Sequence, residues 1–437
     1  MSFEQVTATT TPRAIFARMG RNVAWLLGGR GFVGLTSLIY LLIAARSLGP
    51  RDFGTFSLIL AYGQLIATVV TFQSWQGVIR YGSLHLARRD GPALARLLGF
   101  SATLDFGSAI VGAVIALAGA GLVGELLGWA PSNERRAALF AIVVLLSVDA
   151  TPQGILRLFD RFDLIAYCQA AAPSVRLAGA LAIWTFGGGV RDFLFVWGLA
   201  LVLQSALLWI TALGRAGHRL TLAPSSLGAA LVENSGILGF MASTNFSSSL
   251  SAFGEQLGTL AVGATAGPAA AGGYRLASKL AKAVAKPIRL MGRVLYPEFA
   301  RLVASQDTLV LRQVVARSTF VAVAMATLLL IVIGIAGDAV IGIMAGKAYR
   351  FAHLLLFLLA IAAAIQLSGL TLEPLLNAHG RAGLVLAARM AGAIAYVGMT
   401  LLLLPRLGAP AAAIAAIVMA IVVMVPLSFA AWRIVRG

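Results

Sequence analysis

The sequence predicts an all-α polytopic membrane protein of about twelve transmembrane helices in two six-helix bundles related by a parallel internal repeat. Three observations carry that reading. Hydrophobic residues make up 59% of the 437 residues and charged residues only 11%. Apolar runs of about 20 residues, the length an α-helix needs to cross ~30 Å of hydrocarbon, recur along the whole chain. Residues 49–58, GPRDFGTFSL, return half a chain later as GPAAAGGYRL at 267–276.

Residues 1–22 come first. Glu4, several threonines, Arg13, Arg18 and Arg21 precede the first span, with no short apolar core ahead of a small-residue cleavage site, so this segment reads as a cytoplasmic arm rather than a cleaved leader. Spans follow near 23–45, 53–77, 98–127, 137–158, 164–186 and 192–213, forming a first lobe over 23–217. A second set near 236–263, 270–296, 314–336, 351–376, 383–404 and 410–432 forms a second lobe over 218–437. Proposed cytoplasmic segments, from the arm through Arg88, Arg89 and Arg96 to Arg433 and Arg436, hold twice as many basic residues as the outer loops, which carry Arg46, Arg51, Arg135, Arg136, Arg191, Lys347, Arg350 and Arg406. Both termini are therefore expected in the cytoplasm.

A net charge of +18 could suggest nucleic acid, but the basic residues are dispersed among apolar spans and no nucleic-acid partner is expected. The single cysteine, Cys168, excludes an internal disulfide. His85, His218, His353 and His379 are scattered without ligand spacing, so neither a metal site nor a cofactor is expected.

The two glycine-proline blocks share Gly, Pro, Gly and Leu, with Phe56 matching Tyr274, at an offset of 218 residues; Arg161 and Leu164 match Arg381 and Leu384 at an offset of 220. Six spans per lobe is an even number, so both lobes have the same orientation, and a substrate path is expected between them. The Gly-Pro pairs themselves read as structural turns.

One segment carries most of the chemistry. Arg275, Lys279, Lys282, Lys286, Arg289 and Arg293 recur at steps of 4, 3, 4, 3 and 4, with no acid among them; Leu276, Leu280 and Val284 run down the opposite side. On a helix this stacks six cations along one face, about 27 Å long at 1.5 Å per residue. Each charge costs roughly 2.5–3.5 kcal/mol against mid-bilayer lipid, so the face must meet water, headgroups or an anion. A surface helix lying on the anionic inner leaflet is the competing reading. Shifted by 218, the six positions fall on Ser57, Ala61, Gln64, Thr68, Thr71 and Trp75, four of them polar, while Arg30 and Ser37 fall on Ser248 and Glu255. Spans 1, 2, 7 and 8 are thus expected to line one wet cavity, with Ser57, Gln64, Thr68, Thr71 and Ser248 on its polar wall. Two readings stand for Arg30: a pair with Glu255, or a contact to phosphate. Arg176 is expected in a contact within its lobe. The intramembrane acids Asp105, Asp149, Glu255 and Glu373 are candidates for coupling to a proton or sodium ion, with structural pairing as the alternative. Asp149-Ala-Thr-Pro152 and Glu373-Pro374 mark expected helix kinks.

The block AARSLGPRDFGTFSL, the segment YRLASKLAKAV leading to VLYPEFARL, then LLNAHGRAGLVL and LPRLGAPAAAIA, in this order and spacing, resemble the polysaccharide-transporter flippases of the multidrug/oligosaccharidyl-lipid/polysaccharide superfamily. The resemblance covers nearly the whole chain and implies two six-helix bundles that alternate access. It also implies a substrate, an undecaprenyl-pyrophosphate-linked oligosaccharide carried across the bacterial inner membrane, and as partners this anionic lipid-linked glycan, membrane lipids, a coupling ion and other polysaccharide-assembly membrane proteins. The related branch that carries the peptidoglycan lipid precursor usually has two further C-terminal helices; a chain ending after its twelfth span is expected outside that branch. A multidrug or small-molecule exporter of the same superfamily stays open, as does a membrane glycan polymerase or polyprenyl-phosphate transferase, or a lipid-binding scaffold. A membrane enzyme of that kind would need an outer catalytic loop or a metal-binding acidic cluster, and the outer loops are short without paired carboxylates. No catalytic residues are expected. For a pyrophosphate, Arg supplies a bidentate fork and Lys a mobile point charge, and a ladder of weak sites passes the anion along better than one deep pocket.

Overall fold

The computed structural model describes residues 12–72, 74–216, 224–304 and 308–436, and within them all side chains outside 12–30, 224–226, 246–253, 286–298, 300, 301, 304, 308, 344, 435 and 436. Among the described residues the regular structure is entirely helical. The helices are α1 (Pro12–Val70), α2 (Ser74–Ala87), α3 (Gly91–Leu127), α4 (Pro131–Leu146), α5 (Ala150–Leu158), α6 (Phe162–Phe186), α7 (Val190–Ala216), α8 (Pro224–Glu233), α9 (Ile237–Ala304), α10 (Thr308–Met344), α11 (Ala352–Ser368), α12 (Leu372–Ala378), α13 (Ala382–Leu407) and α14 (Ala409–Arg436), with one 3₁₀ turn at Lys347–Tyr349.

Eight helical runs among the described residues are long and apolar enough to cross a membrane. The first, Gly31–Ala87, is 57 residues long and is folded at Gly49, which gives two crossings. Adding α6 and the two halves of α9, which is folded at Gly267, brings the number to twelve. The protein is therefore an all-α polytopic membrane protein with twelve transmembrane helices.

Why α1 and α9 fold where they do is local chemistry. Gly49 has φ 72° and ψ 173°, and Gly267 has φ 80° and ψ 175°. Only glycine adopts these angles without strain, and Pro50 and Pro268 then begin the next helix at the position where the missing N–H costs nothing. The repeat is written into the backbone at further places. Left-handed residues at Gly128 and Gly346 are also 218 apart, Asp160 and Gly380 are 220 apart, and Gly187 and Gly408 are 221 apart. The turns of the second lobe thus recur at the spacing of those of the first.

Contacts divide the chain into two compact units: residues 1–47 with 62–249, and 48–61 with 250–437. The first has a core of Val78, Leu94, Leu97, Ile155, Ile165, Leu208 and Met241, all buried. Tyr40 packs edge-on against Phe193 and Trp197, and Arg176 lies 4.1 Å from the Trp197 ring, the lobe-internal contact expected of it. The second unit centres on Phe53, Phe56, Leu58, Ile59 and Tyr349, with satellite clusters around Leu376 and Leu427 and around Phe299 and Leu311.

Within the second unit, the segment after Gly49 and the segment after Gly267 approach until their backbones touch. A Cβ on Gly54 would sit 1.8 Å from the Pro268 carbonyl oxygen, and one on Gly272 would sit 3.0 Å from the Gly54 Cα. Small residues at a membrane helix crossing permit this approach, and packing there replaces the hydrophobic drive that lipid removes. Gly54→Ala is therefore expected to cost about 3 kcal/mol by overpacking and to lower the melting temperature in detergent, whereas Gly107→Ala, which meets open space, should leave it unchanged. Equal melting of the two variants would remove this account of the crossing.

Both expected kinks are breaks in the helical ladder. The α4–α5 run is interrupted at Ser147–Asp149, and the α11–α12 run at Gly369–Thr371. Inside hydrocarbon the freed backbone groups need partners. Ser205 Oγ and Trp209 Nε1 both donate to the Val148 carbonyl, at 2.7 and 3.0 Å, and the Thr151 amide donates to Asp105 Oδ2 at 3.0 Å. In the second lobe a hydroxyl pair, Thr319 with Thr371 at 2.9 Å, ties the corresponding break.

Candidate functional site

The cationic segment lies on the half of α9 that follows Gly267. Because the chain folds back there, residues equally far before and after the turn face one another. Glu255 is twelve residues before Gly267 and Lys279 twelve after it (267 − 255 = 12; 279 − 267 = 12). Lys279 Nζ stands 2.9 Å from Glu255 Oε1, and Lys282 Nζ 2.5 Å from Oε2. One carboxylate thus bridges two ammonium groups. The lysine side chains are 40% and 44% exposed against 19% for Glu255, so the cations remain reachable while the acid sits behind them.

This geometry corrects two expectations. The face is not made of unpaired charges, because Glu255 is supplied to it by the preceding half of α9. Nor does Arg275 face water: it is 4% exposed, with Nη1 3.5 Å from the Ser57 carbonyl. Ser57 is fully buried and does not line a surface, because the close glycine crossing places it in the packed interior of its unit. On the opposite side Leu276 and Leu280 are buried as expected, but Val284 is half exposed. The described part of the face, Arg275, Lys279 and Lys282 against Glu255, carries a charge of +2 (3 − 1). The side chains of Arg30, Ser248, Lys286, Arg289 and Arg293, and with them both readings of Arg30, lie outside the described residues; the described partners of Glu255 are the two lysines.

The other proposed polar residues are distributed differently. Gln64, Thr68 and Thr71 are partly exposed, with the Thr68 and Thr71 hydroxyls donating to the carbonyls of Gln64 and Ala67 one turn back. Glu373 of α12 receives a bidentate pair from Arg389 of α13, Nε to Oε1 at 3.0 Å and Nη2 to Oε2 at 2.7 Å. Asp105 is 4% exposed and is held by neutral donors: the Ser74 hydroxyl at 2.7 Å, the Thr151 hydroxyl at 2.7 Å and the Thr151 amide. Asp149 accepts from Gln153 at 2.9 Å. Each of the four acids therefore has a structural partner, and Asp105 caps a broken helix.

The sequence named Asp149 and Trp75 separately but not the group they belong to. Asp149, Gln153 and Arg157 follow one another at intervals of four, from the start of α5 down one of its faces. Gln153 Nε2 donates to Asp149 Oδ2, and its Oε1 accepts from Arg157 Nη2 at 3.1 Å and from Gln169 Nε2 of α6 at 3.2 Å. The Arg157 guanidinium lies 4.0 Å from the Trp75 ring. All five side chains are partly exposed. The signal available was the repeat. Gln153 and Gln169 stand 220 residues before Glu373 and Arg389, so a hydrogen-bonded amide pair in one lobe occupies the place of an ion pair in the other.

With this geometry in view, the family described as polysaccharide biosynthesis protein matches residues 19–303 of the chain. Inner membrane protein YghQ of Escherichia coli (strain K12) is 31% identical over 291 residues, 66% of this chain and 81% of that protein. Among solved structures, the fold matches an inward-facing multidrug resistance MATE family transporter of the MOP superfamily with a TM-score of 0.72 at 13% identity, covering 92% and 94% of the two chains. It matches the lipid II flippase MurJ in an inward closed conformation with a TM-score of 0.69 at 10% identity, covering 94% and 87%. At such identities these two are likenesses of fold alone. Sequence and fold together make this chain a member of the polysaccharide biosynthesis protein family, built on the fold of the MOP-superfamily transporters.

Proposed function

We propose that the chain is a flippase of the bacterial inner membrane. By alternating access it moves an undecaprenyl-pyrophosphate-linked oligosaccharide from the cytoplasmic to the outer leaflet for polysaccharide assembly. The observation that carries this reading is the lysine pair at Glu255: two reachable cations sharing one acid, a net charge of +1 (2 − 1) in a membrane helix, continued in sequence by three more basic residues. A pyrophosphate cannot cross ~30 Å of hydrocarbon unaided, whereas a polyprenyl tail can remain in lipid throughout. Paired ammonium groups replace lost hydration with charge-assisted hydrogen bonds. Family membership and the inner-membrane location of the E. coli relative agree with this reading. An exporter of organic cations is disfavoured by the same charge, since a cationic cargo would meet repulsion where an anion meets attraction.

The test is a deletion strain. Loss of the protein is expected to accumulate undecaprenyl-linked glycan on the cytoplasmic leaflet, measured by extraction and leaflet-specific labelling. Unchanged lipid-linked glycan on both leaflets, together with normal polysaccharide, would overturn the proposal.

A further inference from the structure

We propose that Arg176, stacked on Trp197 beside Tyr40 in the first unit, is the centre of an oxyanion-binding site that takes a phosphate-type anion. The choice of anion rests on the flippase reading above, but the site lies wholly within one unit.

Position is the first argument. Helices α6 and α7 are joined across a turn at Gly187, with Arg176 eleven residues before it and Trp197 ten after it (187 − 176 = 11; 197 − 187 = 10). Tyr40 stands nine residues before the fold at Gly49 (49 − 40 = 9). At 1.5 Å per residue each lies about 13–17 Å from its turn, near the middle of ~30 Å of hydrocarbon. The Tyr40 ring meets the Trp197 ring edge-on at 5.5 Å, and the Arg176 guanidinium lies 4.1 Å from the Trp197 ring centre.

Uncompensated charge is the second. Tyr40 and Trp197 are buried, whereas Arg176 is partly exposed and can be reached. Among the described residues Arg176 has no carboxylate partner and donates no hydrogen bond, and its Nε is buried without an acceptor. Tyr40 interacts with it electrostatically, but a phenol is neutral at physiological pH and does not offset the charge. Stacking covers one face of the guanidinium and leaves its edge of five N–H donors without partners. A cation at this depth calls for an anion to complete it.

Group chemistry is the third. Two parallel N–H groups of a guanidinium match two oxygens of a phosphate, and the Trp197 ring fixes the plane in which that fork lies. Arg176 stands seven residues, two helical turns, along α6 from Gln169, so the partly exposed polar row of Asp149, Gln153 and Gln169 leads toward it. The repeat shows that the fold does not require this cation. At offsets of 218, 220 and 221 the second lobe places Gly258, Tyr396 and Val418 where the first has Tyr40, Arg176 and Trp197. Tyr396 there meets Tyr274 hydroxyl to hydroxyl at 3.3 Å, a neutral contact.

The experiment uses the full chain in phosphatidylcholine nanodiscs, with Lys282→Glu as the parent so that the lysine face is weakened. The probes are farnesyl pyrophosphate, sodium pyrophosphate and farnesol. Adding Arg176→Gln is expected to weaken farnesyl pyrophosphate binding about tenfold, or about 1.4 kcal/mol, and to leave farnesol binding unchanged. Arg176→Lys keeps the charge without the fork; it should weaken the same probe about threefold, and it serves if the glutamine variant does not fold. If sodium pyrophosphate binds and is weakened equally, the site takes free phosphate-type anions. If it does not bind, the site takes the membrane-tethered headgroup. Farnesyl pyrophosphate binding as tight in the Arg176 variants as in the parent overturns the site, as does a parallel loss of farnesol. Failure of the flippase reading is separately visible: farnesyl pyrophosphate would then bind Lys282→Glu as well as wild type, whatever Arg176 does.

Discussion

Lys282→Glu is expected to abolish translocation while leaving membrane insertion intact. In the native protein Lys279 and Lys282 share Glu255, and the described face carries +2. Reversing one lysine brings that face to zero and leaves Glu255 and the introduced carboxylate competing for Lys279 alone. Two like charges about 4 Å apart repel by about 4 kcal/mol at the effective dielectric of a partly exposed site. An anionic headgroup arriving there meets no net attraction. A loss of at least about 2.7 kcal/mol in headgroup stabilisation corresponds to a hundredfold slower step. Lys286→Glu should act in the same direction through its place in the ladder.

The measurement is complementation of the deletion strain, with protein level and membrane fraction checked in parallel. The exchange Glu255→Lys with Lys282→Glu separates two roles, because it restores both the pair and the net charge. If the face acts by its charge, part of the activity returns. Normal complementation by Lys282→Glu alone would remove the cationic face from the mechanism.

Asp105→Ala is expected to be the most destabilising substitution in the first unit. Its Oδ2 accepts from the Ser74 hydroxyl, the Thr151 hydroxyl and the Thr151 amide, all buried where α5 begins after the break in its run. Alanine leaves those three donors without their acceptor in a region that water does not replace. Each unmet buried donor costs about 1–3 kcal/mol, so a total of about 4 kcal/mol is expected for the three. Asp105→Asn keeps one carbonyl oxygen for the Thr151 amide and should lose only about 1–2 kcal/mol. Thermal unfolding in detergent reads the order alanine, asparagine, wild type. Hydrogen exchange at the Thr151 amide should be fastest in the alanine variant and slowest in the wild type. A melting temperature unchanged in Asp105→Ala would show that the break is held by Ser205 and Trp209 alone.

These two residues show how much of the site was legible in advance. The periodicity of Arg275 to Arg293 named the lysines, and the intramembrane position of Asp105 singled it out. Neither fact revealed a partner. Glu255 lies 24 and 27 residues from its lysines (279 − 255; 282 − 255), and contact between them depends on a fold-back at Gly267 and on the rotation of both helix faces. Ser57 shows the same limit in reverse. By repeat register it belongs on a polar wall, yet the glycine crossing buries it. The Gln153–Gln169 pair went unread because neutral amides leave no charge pattern, and only their alignment with Glu373 and Arg389 draws attention to them.

The membrane class, the twelve crossings, the two repeats and the places where helices turn or break are all legible in the amino-acid order. These follow from local quantities: apolar length against bilayer thickness, glycine at a left-handed φ, and proline at a helix start. Which cations remain reachable, which acid pairs with them, and which polar side chains cap the breaks emerge only once the helices are packed. Such pairings depend on the rotation and depth of helices far apart in the chain. A run of about twenty apolar residues sets neither, because any face of such a helix satisfies the bilayer equally well.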